Sequence, residues 1–312
     1  MFNNYYNIVY LDYALSGQIN FQDAGTAIMQ GIINLHHHIF FLLVIVLIFV
    51  GLIFFETYKF SYWKKISPLI IFETKNEQNY QNLEITTYFI KKLKKEYNLN
   101  VNHGVLLEII WTIIPSFILL FIVGPSFALL YAMDAFVDPT VTVKILAHQW
   151  YWTFEYSDFF QKPLYNELNK TFNKYLVNIN YNFDSYMVAT ADLKKGDLRL
   201  LEVDNALYLP TYSRLRLDVT SDDVMHCFAI PSLGVKVDAI PGRLNIAYAE
   251  ILREGIFFGQ CSELCGVNHG YMPLKIVAVD YSTYINYVIL NSELNENDVQ
   301  ILNYALSLKL NN

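Results

Sequence analysis

The sequence predicts two membrane-spanning helices followed by an all-β sandwich domain, and three observations carry that reading. The 312-residue chain is 54% hydrophobic with a mean hydropathy of +0.25, above what a soluble domain usually carries. Two long stretches in the first 133 residues lack any charged side chain. Past Asp138 the pattern changes to short β-branched and aromatic runs separated by turn residues, the pattern of antiparallel sandwiches and barrels.

The first apolar run, IFFLLVIVLIFVGLIFF at 39–55, has no polar side chain. His36, His37 and His38 just ahead of it fall where the interface would complete a span of about 20 residues. The second run, 109–133, contains Pro115 and Pro125, which a membrane helix tolerates because its neighbours satisfy the freed carbonyls. The first 58 residues hold no Lys or Arg, whereas residues 57–103 hold Lys59, Lys64, Lys65, Lys75, Lys91, Lys92, Lys94 and Lys95 against four glutamates. A cation-rich short loop marks the side that is not translocated, so the N-terminus and everything after Met133 share the opposite side. That Lys-rich loop is longer than a helical hairpin needs, and it is expected to hold local structure or to meet a partner.

Residues 1–133 are therefore read as an N-terminal segment and two-helix anchor with the Lys-rich loop at 57–103. Residues 134–312 form the β domain, with a polar, Asn-rich insertion near 160–180 and a C-terminal tail that regains helical character beyond Ser282. Eight of the 29 acidic and eight of the 22 basic residues precede Asp134, so the whole net charge of −7 falls on the β domain. An acidic face suits a basic protein partner and not a nucleic acid, although excess carboxylates also serve solubility alone.

Three cysteines, Cys227, Cys261 and Cys265, are too few for a disulfide framework. Two of them lie in GQCSELCGVNHGYMP, 259–273, with His269 four residues past Cys265 and Met272 three further on. A disulfide or redox dithiol would leave His269 and Met272 unexplained. Zinc has little use for a thioether, whereas Met beside thiolate and imidazole is a copper preference. His226, in the strand-like DDVMHCFAIP, is the best second histidine. Two thiolates, two imidazoles and a thioether exceed the need of one copper, so the thiolates could bridge a pair. Successive strand residues point to opposite faces, which turns Cys227 away from His226 as a packing residue.

These blocks, with HHH before the first span, E-x-x-W from Glu108 to Trp111, AHQWYWTFEY and LRLLEVDN, resemble subunit II of the heme-copper cytochrome c oxidases, in order from about residue 21 to 280. The resemblance implies a cupredoxin-like Greek-key domain. It implies a dinuclear copper centre held by His226, Cys261, Cys265, His269, Met272 and the Glu263 carbonyl, with the Glu263 side chain on a magnesium ion shared with subunit I. Trp150 would take the electron from cytochrome c, and Asp222 and Asp223 would attract the lysines of that donor. Unbroken strand alternation through AHQWYWTFEY would put His148, Trp150, Trp152 and Phe154 on one face, with Trp152 in the core and Trp150 toward solvent. Glu108 would lie at the mouth of a proton pathway into subunit I, its plainer role being a carboxylate on a helix N-terminus. Electrons would pass to heme in subunit I, where oxygen is reduced to water with proton pumping, beside subunit III and further subunits.

Heavy use of Asn, Tyr, Ile, Lys and Phe points to the mitochondrial inner membrane, with the copper domain in the intermembrane space; a bacterial plasma membrane is the alternative. Three features depart from the family: the long 57–103 loop, the long stretch after Phe159, and the cysteine after His226. Rival readings are a quinol-oxidase subunit, which lacks the copper ligands, and a membrane-anchored copper chaperone, which needs a thioredoxin-like alternation of strands and helices.

Overall fold

The structure, a computed structural model, describes residues 11–76, 103–134, 138–156, 159–166, 171–178 and 181–292, as backbone alone over 60–76, 159–166 and 171–178. Both expected helices form: α1, Ala27–Asn76, and α2, Val105–Asp134. At 1.5 Å per residue the 30 residues of α2 reach about 45 Å, enough to cross a hydrocarbon core of about 30 Å. Pro115 and Pro125 stay inside α2. Beside Pro115, Thr112 Oγ1 donates to the Glu108 carbonyl at 2.7 Å and Ser116 Oγ to the Thr112 carbonyl at 2.9 Å, so hydroxyls serve carbonyls of this stretch. The first helix runs past residue 57 to Asn76, which makes the start of the Lys-rich segment helix. No glycine lies between Gly51 and Gly104 to supply a C-cap, and the remainder of that segment, 77–102, lies outside the described residues.

The chain divides into two compact units, 35–126 and a second comprising the residues up to 34 and from 127 on. The second unit contains the β domain, with the start of α1 and the end of α2. Its strands are β1 (Leu11–Asp12), β2 (Val141–His148), β3 (Tyr151–Tyr156), β4 (Phe159–Asn166), β5 (Thr171–Asn178), β6 (Tyr181–Ser185), β7 (Leu207–Pro210), β8 (Arg214–Ser221), β9 (His226–Ile230), β10 (Val235–Ala239), β11 (Asn245–Glu250), β12 (Gly255–Gln260) and β13 (Pro273–Val279), closed by helix α3 (Tyr281–Asn291). One sheet runs β11-β8-β2-β3-β6 and another β1-β12-β13-β7, with β9 and β10 as a separate hairpin.

Alternation builds the core. Along β2, Val141, Val143, Ile145 and Ala147 are fully buried while the residues between them are half-buried, the period of two a one-sided strand requires. Trp152, Phe154 and Tyr156 of β3, Leu215, Leu217 and Val219 of β8, and Phe257, Leu274 and Ile276 of the other sheet fill the space between. At the far end α3 buries Tyr284, Ile285 and Val288 and stacks Tyr287 on Tyr208 at 4.1 Å. Its N-cap is Asp280, which accepts from the Ser282 and Thr283 amides.

Four sequence expectations need amendment. The pairing is mixed: β2 runs parallel to β8, β7 to β13 and β1 to β12, because neighbours in one layer are joined by long excursions elsewhere, which parallel pairs need. The insertion near 160–180 is itself a hairpin, β4 on β5, outside both main sheets. Residues 141–156 are a tight hairpin instead of one strand, with Ala147 facing Trp152 and His148 facing Tyr151. The segment before α1, grouped with the anchor on sequence grounds, is laced to the β domain: β1 pairs β12, and Asp12 takes a bidentate pair from Arg253 at 2.6 and 2.7 Å. The Thr26 hydroxyl adds a bond to the Leu233 carbonyl at 2.8 Å.

Candidate metal centre

The site is assembled at one end of the β domain by two chain segments. His226 opens β9; Cys261 directly follows β12 and Met272 directly precedes β13, so all the remaining donors sit on the loop joining two paired strands. That loop is pinned at its base, where the Cys261 amide donates to the Met272 carbonyl at 3.4 Å, and to β9, where the Ser262 amide donates to the Cys227 carbonyl at 3.2 Å. Close approach of β12 to β9 demands Gly259: a Cβ there would stand 2.1 Å from the Ala229 carbonyl oxygen.

The donors meet. Cys261 Sγ and Cys265 Sγ are 3.9 Å apart, far from a disulfide's length of about 2.05 Å, and both cysteines are free. His226 Nδ1 is 4.0 Å from Cys261 Sγ, His269 Nδ1 is 3.5 Å from Cys265 Sγ, Met272 Sδ is 3.6 Å from Cys265 Sγ, and the Glu263 carbonyl is 3.3 Å from Cys261 Sγ. His226, Cys261 and Cys265 together form a buried cluster able to hold a metal ion. Two thiolates in the middle, flanked by imidazoles and weaker donors, suit copper: the soft set satisfies Cu(I) and the imidazoles suit Cu(II). Cys227 is buried beside this cluster; burial first, and then a hydrogen bond to Asp238, push its thiol up to about 12, which keeps it a thiol.

The metal-free thiols differ. Burial raises Cys261, but hydrogen bonding to His226 and to the backbone of Cys227 and Glu263 outweighs it and brings the group down to about 7. Burial and the neighbouring charge of Cys261 push Cys265 up to about 12. Burial lowers His226, yet its bonds to Cys261 and Asp223 win and raise it.

Two residues around the donors were not legible in these roles. Asp223 Oδ1 meets His226 Nε2 at 2.8 Å, which leaves Nδ1 for a metal. The same carboxylate accepts from the Gln149 and Val224 amides, both at 2.6 Å. The Asp222 side chain is 71% exposed, with Oδ2 at 3.8 Å from His148 Nδ1, so the two aspartates divide into an outward and an inward one. The spacing of Asp223 three residues before His226 was the available signal. Gln149 carries none; its Nε2 donates to the Cys265 carbonyl at 2.8 Å.

Trp150 lies in the β2-β3 turn, half-buried, with Nε1 donating to that same Cys265 carbonyl at 3.2 Å. The turn explains why it escapes the face that buries Trp152, whose own Nε1 holds the Met272 carbonyl at 3.3 Å. Glu108 is exposed in the first turn of α2, and its Oε1 accepts from the Gly104 amide at 3.2 Å, a capping contact. Glu263 is half-buried within the ligand loop.

Two family models match the chain: cytochrome c oxidase subunit II, periplasmic domain, over residues 141–279, and its transmembrane domain over 14–76 and 79–129. Cytochrome c oxidase subunit 2 of Zea mays is 45% identical over 285 residues, 91% of this chain and 93% of the relative. That of Arabidopsis thaliana is 44% identical over 286 residues, 91% and 93% of the two chains. Among solved structures, the periplasmic domain of subunit II of cytochrome oxidase from Bradyrhizobium japonicum is 37% identical, covering 50% of this chain and 95% of that one with a TM-score of 0.40. With both its domains matched in order and Cys261, Cys265 and His226 gathered in one buried cluster, the chain belongs to the cytochrome c oxidase subunit II family and is a membrane-anchored subunit of a terminal respiratory oxidase.

Proposed function

We propose that this subunit takes electrons from cytochrome c one at a time at a dinuclear copper centre and hands them to heme in subunit I, where oxygen is reduced to water with proton pumping. The observation that carries the reading is the bond from the half-buried Trp150 indole to the carbonyl of Cys265, which joins a side chain open to solvent to a buried thiolate through one hydrogen bond and four covalent bonds. Copper bound among these donors supplies reversible one-electron chemistry with little demand for rearrangement. The chain's residues do the rest. Asp223 fixes the His226 ring, Cys261 and Cys265 stand close enough to be shared, and buried Met272 closes the donor set.

Outside, Asp222 presents its carboxylate to the lysines of the donor, a steering role for a charge at an interface rim. Tyr151, stacked between His148 at 4.6 Å and Tyr186 at 4.5 Å, extends the aromatic surface beside Trp150. Glu263 would offer its carboxylate to a magnesium ion shared with subunit I. Glu108 marks the proton pathway's mouth on the Lys-rich side, and subunits I and III and further chains pack around the anchor. The membrane is the mitochondrial inner one, with the β domain in the intermembrane space; a Glycine max relative, 45% identical over 278 residues, is named as mitochondrial.

The test is metal content and spin. The copper-loaded chain is expected to hold two copper ions and to give a mixed-valence signal with hyperfine structure from two equivalent nuclei; one copper per chain with a single-nucleus pattern would overturn the dinuclear reading.

A further inference from the structure

We propose that Gln149 is a positioning residue for electron uptake, its side-chain amide holding the Trp150 indole against the Cys265 carbonyl by sharing that oxygen with it. The inference rests on the reading of Trp150 as the uptake point. Gln149 is exposed at the tip of the β2-β3 hairpin, a place where a polar side chain normally turns to water. Both of its donors turn inward instead. The main-chain amide reaches Asp223 Oδ2 at 2.6 Å, and Asp223 Oδ1 holds His226 Nε2 at 2.8 Å. The side-chain Nε2 reaches the Cys265 carbonyl at 2.8 Å, closer than the 3.2 Å of Trp150 Nε1 on the same oxygen. A carbonyl oxygen has two lone pairs, and these two donors use them both.

Gly266 makes the convergence possible. Its φ of +119° is a backbone conformation that L side chains rarely adopt. A Cβ there would stand 3.1 Å from Trp150 Cζ2 and 3.3 Å from Gln149 Nε2, so the indole and the amide lie over the same bare backbone. One residue therefore ties the turn to both ligand-bearing segments, to His226 through Asp223 and to the thiolate loop through Cys265. In the step it serves, one electron leaves the reduced donor and arrives at the metal centre, and no bond or proton moves. Gln149 acts on that step only by keeping the indole in place.

A two-by-two set of variants in the assembled oxidase tests this: Gln149→Leu, which keeps the volume and removes the donor, and Trp150→Phe, each alone and together. The readouts are the rate of electron uptake from reduced cytochrome c, the dissociation constant for cytochrome c, and the absorption spectrum and midpoint potential of the copper centre. Gln149→Leu alone is expected to slow uptake about tenfold or more, the usual range for a partner one shell out from a metal ligand, with donor affinity and copper spectrum retained. Added to Trp150→Phe it should slow uptake no further, because its route is already lost. Equal slowing in both backgrounds, or a change confined to donor affinity or potential, would place Gln149 in docking or tuning and overturn the proposal. So would no slowing from Gln149→Leu while Trp150→Phe is slow. If Trp150→Phe itself leaves uptake unchanged, the reading of Trp150 falls and the proposal with it.

Discussion

Gly266 and the thiol pair show what single residues decide at this site. Replacing Gly266 by Ala forces a side chain into a strained backbone conformation and into the 3.1 Å space before the Trp150 ring; the cost to folding is about 1 kcal/mol or more. The ring and the Gln149 amide must give way, so Gly266→Ala should slow electron uptake while leaving the copper absorption bands in place, checked by stopped-flow reduction and optical spectra. Metal uptake carries the mark of the two thiols. Binding requires both as thiolates, and in the metal-free chain Cys261 sits at about 7 and Cys265 at about 12. Between pH 7 and 9 the Cys265 proton must be displaced, together with any proton still held by the raised His226, and apparent copper affinity should rise about tenfold per pH unit or more. Below pH 7 the Cys261 proton is displaced too, and the slope should steepen to about a hundredfold per unit or more. Competition titrations with a chelator of known affinity measure both slopes. The ligands themselves were legible because their chemistry is unusual and four of the five side chains are close in sequence. Gln149 and Asp223 were not seen as supports, since a hydrogen bond from a turn to a distant loop leaves no periodic trace in sequence.

At the scale of elements, the ends of strands and helices matter more than their middles. The N-cap of α3 is one such end: burial raises Asp280, but the Ser282 and Thr283 hydroxyls and amides outweigh it and hold the carboxylate below its usual value. A depressed folded value means that the stabilisation is present above the unfolded pKa of about 3.9 and is lost as pH falls through the folded one. Asp280→Ala should therefore cost about 1 kcal/mol at pH 7 and nearly nothing in strong acid. Denaturant unfolding of the metal-free chain at the two pH values checks this. Strands β2, β3 and β7 to β13 were legible from their β-branched and aromatic runs, whereas β1, β4, β5 and β6 were not, and the β2-β3 turn was hidden. Gln-Trp is not the Asn-Gly type of signal that marks two-residue turns, and apolar residues run almost without a break on either side. Parallel pairing of β2 with β8 was hidden for another reason, because a ladder between distant strands imposes no pattern on either alone.

For the whole molecule, composition and charge separated two apolar helices from a β-rich region, and both helices form, α1 continuing to Asn76. The attachment of residues before α1 to the β domain was beyond sequence reasoning, since the Asp12 to Arg253 pair spans most of the chain. The hairpin β4-β5 is peripheral by the same standard. Its two ends meet, because Tyr156 and Tyr181 face each other in the β3-β6 ladder, and it pairs with neither main sheet. Replacing residues 157–180 by an Asn-Gly turn should thus leave the copper spectrum unchanged and the melting temperature within a few degrees; a lost spectrum would show that the hairpin supports the site.

The two connections that flank β3 consequently live under opposite rules. The one leading to β6 carries a whole ribbon, β4-β5, that forms a sheet of its own among the described residues. The one arriving from β2 is a gauge: its two residues, Gln149 and Trp150, set where the indole falls relative to the Cys265 carbonyl. A single inserted residue there would leave every candidate ligand in the chain and still move the indole away from the Cys265 carbonyl. Length variation among relatives is accordingly expected to accumulate after β3 and to be absent before it, and anyone grafting this copper loop onto another sandwich must graft the gauge with it.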